Sequence, residues 1–270
     1  MLRYFRQIRL RLLTDNKFSK YLLYAVGEIL LVVIGILIAL QVNNWNENRK
    51  EQIALRTYSS SLINDLKNNI RIAKMTMNQM SVGLEKIDMF LEYVRINGVN
   101  EFNNLDLFLM TKNGFRYRPS EWYKATFNEM NSSGTINFIE DDSLKLKLNN
   151  YYTLTEHLEQ DYLNDYSRSD IAEQLLMDAI NYNYANYYDI DSTLTLLKKP
   201  REMRLQNPAY FQANLLDLKL LSMEPVLYNK IGNRLKIIQN ALSIRINDEY
   251  PRLISRAEEL IVLIEQEYSH

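Results

Sequence analysis

Apolar residues change their spacing once along the first third of the chain. From Tyr21 to Val42 the sequence YLLYAVGEILLVVIGILIALQV is apolar on every helical face, and Glu28 is its one ionisable residue. As a helix those 22 residues reach about 33 Å, enough to cross a hydrocarbon core of about 30 Å. Farther on, the pattern narrows to a single stripe. Leu62, Leu66, Ile70, Ala73, Met77, Met80, Leu84, Ile87, Leu91 and Val94 recur every three or four residues, as in a helix that buries one seam. No Pro or Gly intervenes between Val42 and Ser81, so one helix is predicted from the apolar segment to about Ile96, with Asn97-Gly98 as its stop.

Residues 99–140 carry no sustained stripe. Asn103-Asn104 is placed to cap a short helix from Leu105 to Met110, and Asn113-Gly114 to make a turn. Ser120, after Pro119, is expected to start a helix to Met130, and Thr135 to Ile139 a short extended piece after Gly134. Asp141 or Asp142 then caps a helix carrying Leu144, Leu148, Tyr151, Leu158 and Tyr162, predicted to reach about Tyr184. Residues 187–207 read as a connection. A helix is expected from Ala209 to Ser222, and Glu224-Pro225 opens the last stripe, Leu227 to Ile264, which Pro251 should kink or split. Three long amphipathic helices with short ones between them predict an all-α fold, an antiparallel bundle joined to the apolar helix.

Composition agrees with long helices, since 7 Gly and 5 Pro are too few for a fold built on tight hairpins. With no Cys, disulfides and thiolate chemistry are excluded, and 2 His leave little for metal sites or triads. The 32 basic and 33 acidic residues argue against nucleic acid as a partner. No phosphate loop, nucleophile elbow, zinc-protease motif or calcium loop is present. The expectation is a protein that is not an enzyme and takes no cofactor or metal.

The apolar run is longer than the core of a signal peptide, and no small-residue cleavage site follows it, so an uncleaved anchor is expected. Arg3, Arg6, Arg9, Arg11, Lys17 and Lys20 precede it, against Asp15 alone, whereas Arg49, Lys50 and Arg56 follow among Glu47 and Glu51. Lys and Arg are retained on the cytoplasmic side, which predicts a cytoplasmic N-terminus and a C-terminal domain outside the cytoplasm. Four parts follow: a basic stub (1–20), a transmembrane helix (21–42), a stalk (43–98) and an outer helical bundle (99–270) that packs with the stalk. In the stub, Leu2, Phe5, Ile8 and Leu12 alternate with Arg, a pattern suited to the lipid interface, and no cytoplasmic catalytic domain is expected.

Several residues stand out as site candidates. Glu28 is costly inside a bilayer, about 2.5–3.5 kcal/mol for ionised groups at mid-depth, so it calls for headgroup water, a partner helix or a proton-carrying role. Gly27, Leu31, Gly35 and Ala39 share one face, small at three positions, that admits a close helix contact. At the outer exit, Gln41, Asn43, Asn44, Trp45 and Asn46 read as interfacial anchoring or, in an oligomer, as a pore mouth. Arg116, Tyr117, Arg118, Trp122, Tyr123 and Lys124 form a basic aromatic cluster, the candidate outer site for an anionic ligand or a partner. Tyr182, Tyr184, Tyr187 and Tyr188, beside Asn181, Asn183 and Asn186, suit packing or sugar contact. Asp142-Ser143-Leu144 and Asp191-Ser192-Thr193 match a short O-glycosylation signal. His157, among Glu156, Glu159 and Asp161, reads as a solvated helix face.

Tyr21 to Lys50, with Gly27-Glu28, Gly35, Leu40-Gln41 and Asn43-Asn44-Trp45-Asn46-Glu47, resembles the DUF6090 family of uncharacterised membrane proteins found in Bacteroidetes. A second likeness covers Ala125 to Tyr152, with Ser133-Gly134, Ile139 and Tyr151-Tyr152. The resemblance implies one span in a bacterial inner membrane, with the N-terminus cytoplasmic and a helical domain in the periplasm, and it brings no catalytic residues. Lipid and a second copy or another membrane protein are the expected partners. The functions expected are a scaffold that self-associates or docks a partner through span and stalk, a subunit of a proton-coupled or channel-like assembly using Glu28, or a periplasmic ligand sensor lacking its own output domain.

Overall fold

The structure is a computed structural model that describes residues 18–184 and 193–268. The expectations on the basic stub through Lys17, and on Asn186, Tyr187, Tyr188 and Asp191-Ser192, lie outside the described residues. Among the described residues there is no strand, and the chain is all-α. The first helix, α1, runs Phe18–Ile96. Then come α2 (Asn104–Thr111), α3 (Ala125–Ser133), α4 (Asp142–Ala179), α5 (Thr193–Leu197), α6 (Arg201–Arg204), α7 (Pro208–Leu215), α8 (Pro225–Ile244) and α9 (Tyr250–Tyr268). Residues through Tyr58 form one compact unit and residues from Ser59 another.

In the first unit, every residue from Ile29 to Lys50 is exposed, apolar and polar alike. This part of α1 has a mean hydropathy of 2.5 over its most apolar stretch, none of it buried, and is long and apolar enough to cross a membrane.

The second unit is a bundle. α4 packs on α8 and α9. α4 runs antiparallel to this C-terminal pair, because Lys147 pairs with Glu259 near one end, Asp161 with Arg245 at the middle, and Leu221 N–H donates to the Ala179 carbonyl at the other end. α1 lies antiparallel to the same C-terminal helices, with Lys67 beside Glu265 and Leu91 against Gly232. Its buried seam is Ser59, Leu62, Leu66, Asn69, Ala73, Thr76, Met80, Gly83, Ile87 and Phe90, alternating by three and four. Half of the predicted stripe is therefore the seam itself, and Ile70, Met77, Leu84, Leu91 and Val94 flank it, partly exposed.

Polar residues sit in the seam because an extended segment, residues 115–124, lies along it. Asn69 accepts from Tyr123 N–H at 2.7 Å and donates to its carbonyl at 3.1 Å, pairing that backbone as a neighbouring strand would. Thr76 meets Ser120 at 3.1 Å, and Gln79 accepts from Arg118 N–H at 3.0 Å. A Cβ at Gly83 would stand 3.4 Å from the Phe115 carbonyl, so this glycine admits the chain closely. The Lys86 ammonium, its pKa lowered by burial and by Lys112 nearby, donates to the Lys112 carbonyl at 2.9 Å. With its backbone groups met from α1, the segment stays extended, and the helix expected from Ser120 starts only at Ala125.

Other boundaries move for similar reasons. Thr135–Phe138 is a 3-10 turn rather than an extended piece, entered through Gly134 at φ 78°. α4 ends at Ala179, short of Tyr184, where Asn104 grips both the N–H and the carbonyl of Asn181. α7 stops at Leu215 instead of Ser222, followed by Asp217 at φ 46°. Pro251 does not end the last helix. A π turn over Arg245–Glu249, in which Tyr250 N–H donates to the Arg245 carbonyl, widens the turn ahead of the proline and leads directly into α9.

Candidate functional site

Gly27, Leu31, Gly35 and Ala39, expected to share a span face, lie uncovered on α1. A Cβ on Gly27 or Gly35 would meet nothing within 4 Å, and Leu31 and Ala39 on the same face are exposed. Glu28 sits one position round from Gly27, partly covered. Of the exit residues, Gln41, Asn44 and Trp45 line a shallow groove on α1 with Val42 and Asn48, while Asn43 donates to Glu47 at 3.0 Å and Asn46 is exposed.

The outer basic aromatic cluster does not converge on one cavity. Arg116 is held by Asp170 at 2.9 Å and Glu173 at 2.7 Å and lies over the Tyr166 ring. Tyr117 is buried and donates to Asp165 at 3.0 Å. Trp122 is buried against Tyr250, and Lys124 is paired with Glu159 at 2.9 Å. Arg118 and Tyr123 keep exposed side chains. The cleft between Arg116, Tyr117, Tyr162 and Tyr166 has no room for a water molecule. Tyr182 and Tyr184 pack on Phe108 and meet Thr111 and Asn104, so these tyrosines serve the interior.

A charged cluster that the linear pattern did not reveal lies where α4 meets the π turn. Arg245, side chain 8% exposed, reaches Asp161 at 2.9 Å, Glu249 at 2.7 Å and Asp165 at 3.4 Å. Asp165 also takes Tyr117 O–H and, from the outside, Arg168 at 2.9 Å. Burial pulls the Arg245 pKa down, but the three carboxylates outweigh it and the net shift is upward. Burial raises the Asp161 pKa, against the pull of Arg245 and His157. It also raises that of Tyr117, helped by Asp165, and pushes Tyr250 up to about 12. Tyr250 O–H joins the cluster to Ser120 at 3.2 Å and hence to Thr76 on α1.

His157 stands one turn before Asp161 on α4. Its Nε2 lies 3.0 Å from Asp161 Oδ2 and 3.6 Å from Glu249 Oε1. The sequence reading puts His157 among Glu156, Glu159 and Asp161 on a solvated face. The fold instead supplies Glu249, 92 positions away, and no spacing rule in the sequence could link the two. The one available signal is that Arg245 and Glu249 sit on the otherwise apolar stripe of the last helix. Elsewhere in the bundle, Asp106 on α2 is locked by Arg204 at 2.9 Å and Tyr210 O–H at 2.7 Å, an interior pair tying α2 to α6 and α7.

No curated protein and no solved structure matches the chain. The profile of a family of unknown function, DUF6090, matches residues 28–172, from Glu28 in the apolar helix to Ala172 in α4. More than half of the chain lies inside that match, including the seam of α1, the extended segment, His157, Asp161 and Asp165, and the chain belongs to the DUF6090 family.

Proposed function

We propose that the chain is a membrane-anchored scaffold: residues 21–42 cross the bacterial inner membrane with the basic N-terminus in the cytoplasm, and the helical bundle stands in the periplasm. The observation that carries this reading is the fully exposed apolar surface of residues 29–42, which water does not tolerate on a folded protein at such length. Basic residues concentrated ahead of the apolar run support the orientation.

Self-association through the span is the second part of the reading. Gly27, Leu31, Gly35 and Ala39 offer a smooth face where two helix backbones approach closely, and Glu28 beside it gains a hydrogen-bonding partner in a neighbouring span. The bundle then serves as the part that a multimer presents outside the membrane. Nothing in this role requires turnover of a substrate.

The mass of the detergent-extracted particle tests the proposal. A multiple of the 32.0 kDa chain is expected. Glu28→Gln should keep the assembly through its amide, and Glu28→Ala should weaken it. A monomer at all protein concentrations would overturn the self-association reading, and full extraction from membranes by carbonate without detergent would overturn the anchor.

A further inference from the structure

We propose that His157 Nε2, Asp161 Oδ2 and Glu249 Oε1 form a binding site for one divalent first-row transition-metal cation. These three donor atoms come from α4 and the π turn and lie within 4.8 Å of one another. Around a cation bound at about 2.0–2.2 Å, adjacent donors stand about 3–3.5 Å apart; the two separations from His157 Nε2, 3.0 and 3.6 Å, match this, and the two carboxylate oxygens, within 4.8 Å of each other, would close toward the ion.

The surroundings hold the donors in this arrangement. Arg245 occupies the other oxygen of each carboxylate, Asp161 Oδ1 and Glu249 Oε2, which turns Oδ2 and Oε1 toward the imidazole. A partner that fixes a ligand's far atom is the usual support around a metal centre. Asp161 is nine-tenths buried, and its Oδ2 has no access to water and accepts no hydrogen bond among the described residues. A buried acceptor that meets only the imidazole edge is costly, and a cation between it and His157 Nε2 answers it. Charge points the same way. Asp161, Asp165 and Glu249 face one buried guanidinium, Arg245, with Arg168 meeting Asp165 from the half-exposed side. An imidazole with two carboxylates favours a first-row transition ion over Mg²⁺ or Ca²⁺. The His157 side chain is 56% exposed, so the cation has a route from solvent and water can complete its coordination.

The bound ion would clamp α4 to the C-terminal helix at the turn where the latter is widened. The rival for the same geometry is a protonated His157 paired with both carboxylates, and the test separates the two. Untagged full-length protein in detergent, stripped by a chelator, is titrated with Co²⁺ and followed by its visible absorption. One equivalent per chain is expected, displaced by Zn²⁺. H157Q should bind at least about tenfold more weakly, as should D161N, whereas H270Q should bind as the unaltered chain does. Should either site variant fail to fold by circular dichroism, the other carries the comparison. Absence of Co²⁺ binding, or binding equally strong in H157Q, overturns the site. So does a stability loss in metal-free H157Q while Co²⁺ leaves the unaltered chain's stability unchanged, because that assigns the geometry to a protonated imidazole paired with the carboxylates.

Discussion

One helix, α1, contains two stretches that treat the same side chains in opposite ways. Between Ile29 and Val42, Leu, Ile and Val point in all directions and every one of them is exposed. Between Leu62 and Phe90 they concentrate on one side, with Val82 exposed off it, and those on the seam, such as Leu66 and Ile87, are fully buried. The difference lies in which medium the pattern was shaped for. An apolar collar has no inward direction and suits a medium that is apolar all round. A stripe has one direction and suits water outside with protein inside. The seam can even carry Asn69, Thr76 and Gly83, because the extended segment needs polar partners and close approach there. The collar between Ile29 and Leu40 carries no polar side chain at all.

The sharpest way to test the contrast is to remove a seam residue. Phe90 is fully buried, and Phe90→Ala should cost about 3–5 kcal/mol in urea unfolding of the detergent-solubilised chain, a lost transfer term plus a cavity. Loss below about 1 kcal/mol would mean that the seam is not a packed core. Arg245→Met should do comparable damage, about 3–5 kcal/mol at neutral pH, by leaving Asp161, Asp165 and Glu249 buried without their shared cation. Its deficit should shrink on acidification, since protonating Asp161, whose pKa burial raises, removes part of the uncompensated charge. A deficit that grows on acidification would show that the guanidinium is not what holds them.

Alkali probes the same interior by titration. Burial pushes Tyr228 and Tyr250 up to about 12, above their value in an unfolded chain. For groups raised in this way the stabilising contribution is complete below about pH 10 and is lost as pH climbs toward 12. Each shift of about two pKa units corresponds to about 2–3 kcal/mol. The bundle should therefore unfold between pH 10 and 12, with tyrosinate absorbance rising in the same transition, while the detergent-covered part of α1 keeps its helical signal. Tyr228→Phe should make the loss less steep. Tyrosinate that rises before any loss of ellipticity and is reduced in Tyr228→Phe would place that ring at the surface. A smaller effect is expected at a helix start, where Asn103 Oδ1 accepts from Asp106 N–H at 3.1 Å, and Asn103→Ala should cost about 1 kcal/mol in the same unfolding measurement.

How far the sequence discloses this molecule follows from the range of each interaction. Features set within a turn or two of helix are legible: the collar, the stop before Asn97-Gly98, the cap at Asn103 and Asp141, the turn at Asn113-Gly114, whose residues have φ 64° and 63°. Features set by partners far along the chain are not. Ser120 has the chemistry of a helix cap, yet Asn69 and Thr76 keep its neighbourhood extended. Pro251 has the chemistry of a breaker, yet a π turn absorbs it. The stripe on α1 is read to within one helical row, and the row actually buried depends on which neighbours α4, α8 and the extended segment bring. The ionic cluster was out of reach for the same reason. Arg245 and Glu249 declare themselves only as charged residues on an apolar face, and their meaning depends on α4 bringing Asp161, Asp165 and His157 to the same place.

The smallest effect expected is also the one that bears most directly on the two halves of α1. Leu37 is 58% exposed within the collar, whereas Leu66 is 0% exposed within the seam. Leu66→Ala removes methyl groups from a packed interior and should cost about 2–5 kcal/mol. Leu37→Ala removes the same atoms from a surface that detergent or lipid covers before and after the bundle unfolds. The folded and unfolded chains then lose the same contact, and Ala is at least as good a helix former as Leu, so unfolding of the bundle should move by less than about 0.5 kcal/mol. Both variants must be measured in one detergent at one concentration, since the cover on Leu37 is the solvent itself. A loss at Leu37 approaching that at Leu66 would show that residues 29–42 belong to the folded core, and the fully apolar collar would then need a protein partner instead of a bilayer to explain it.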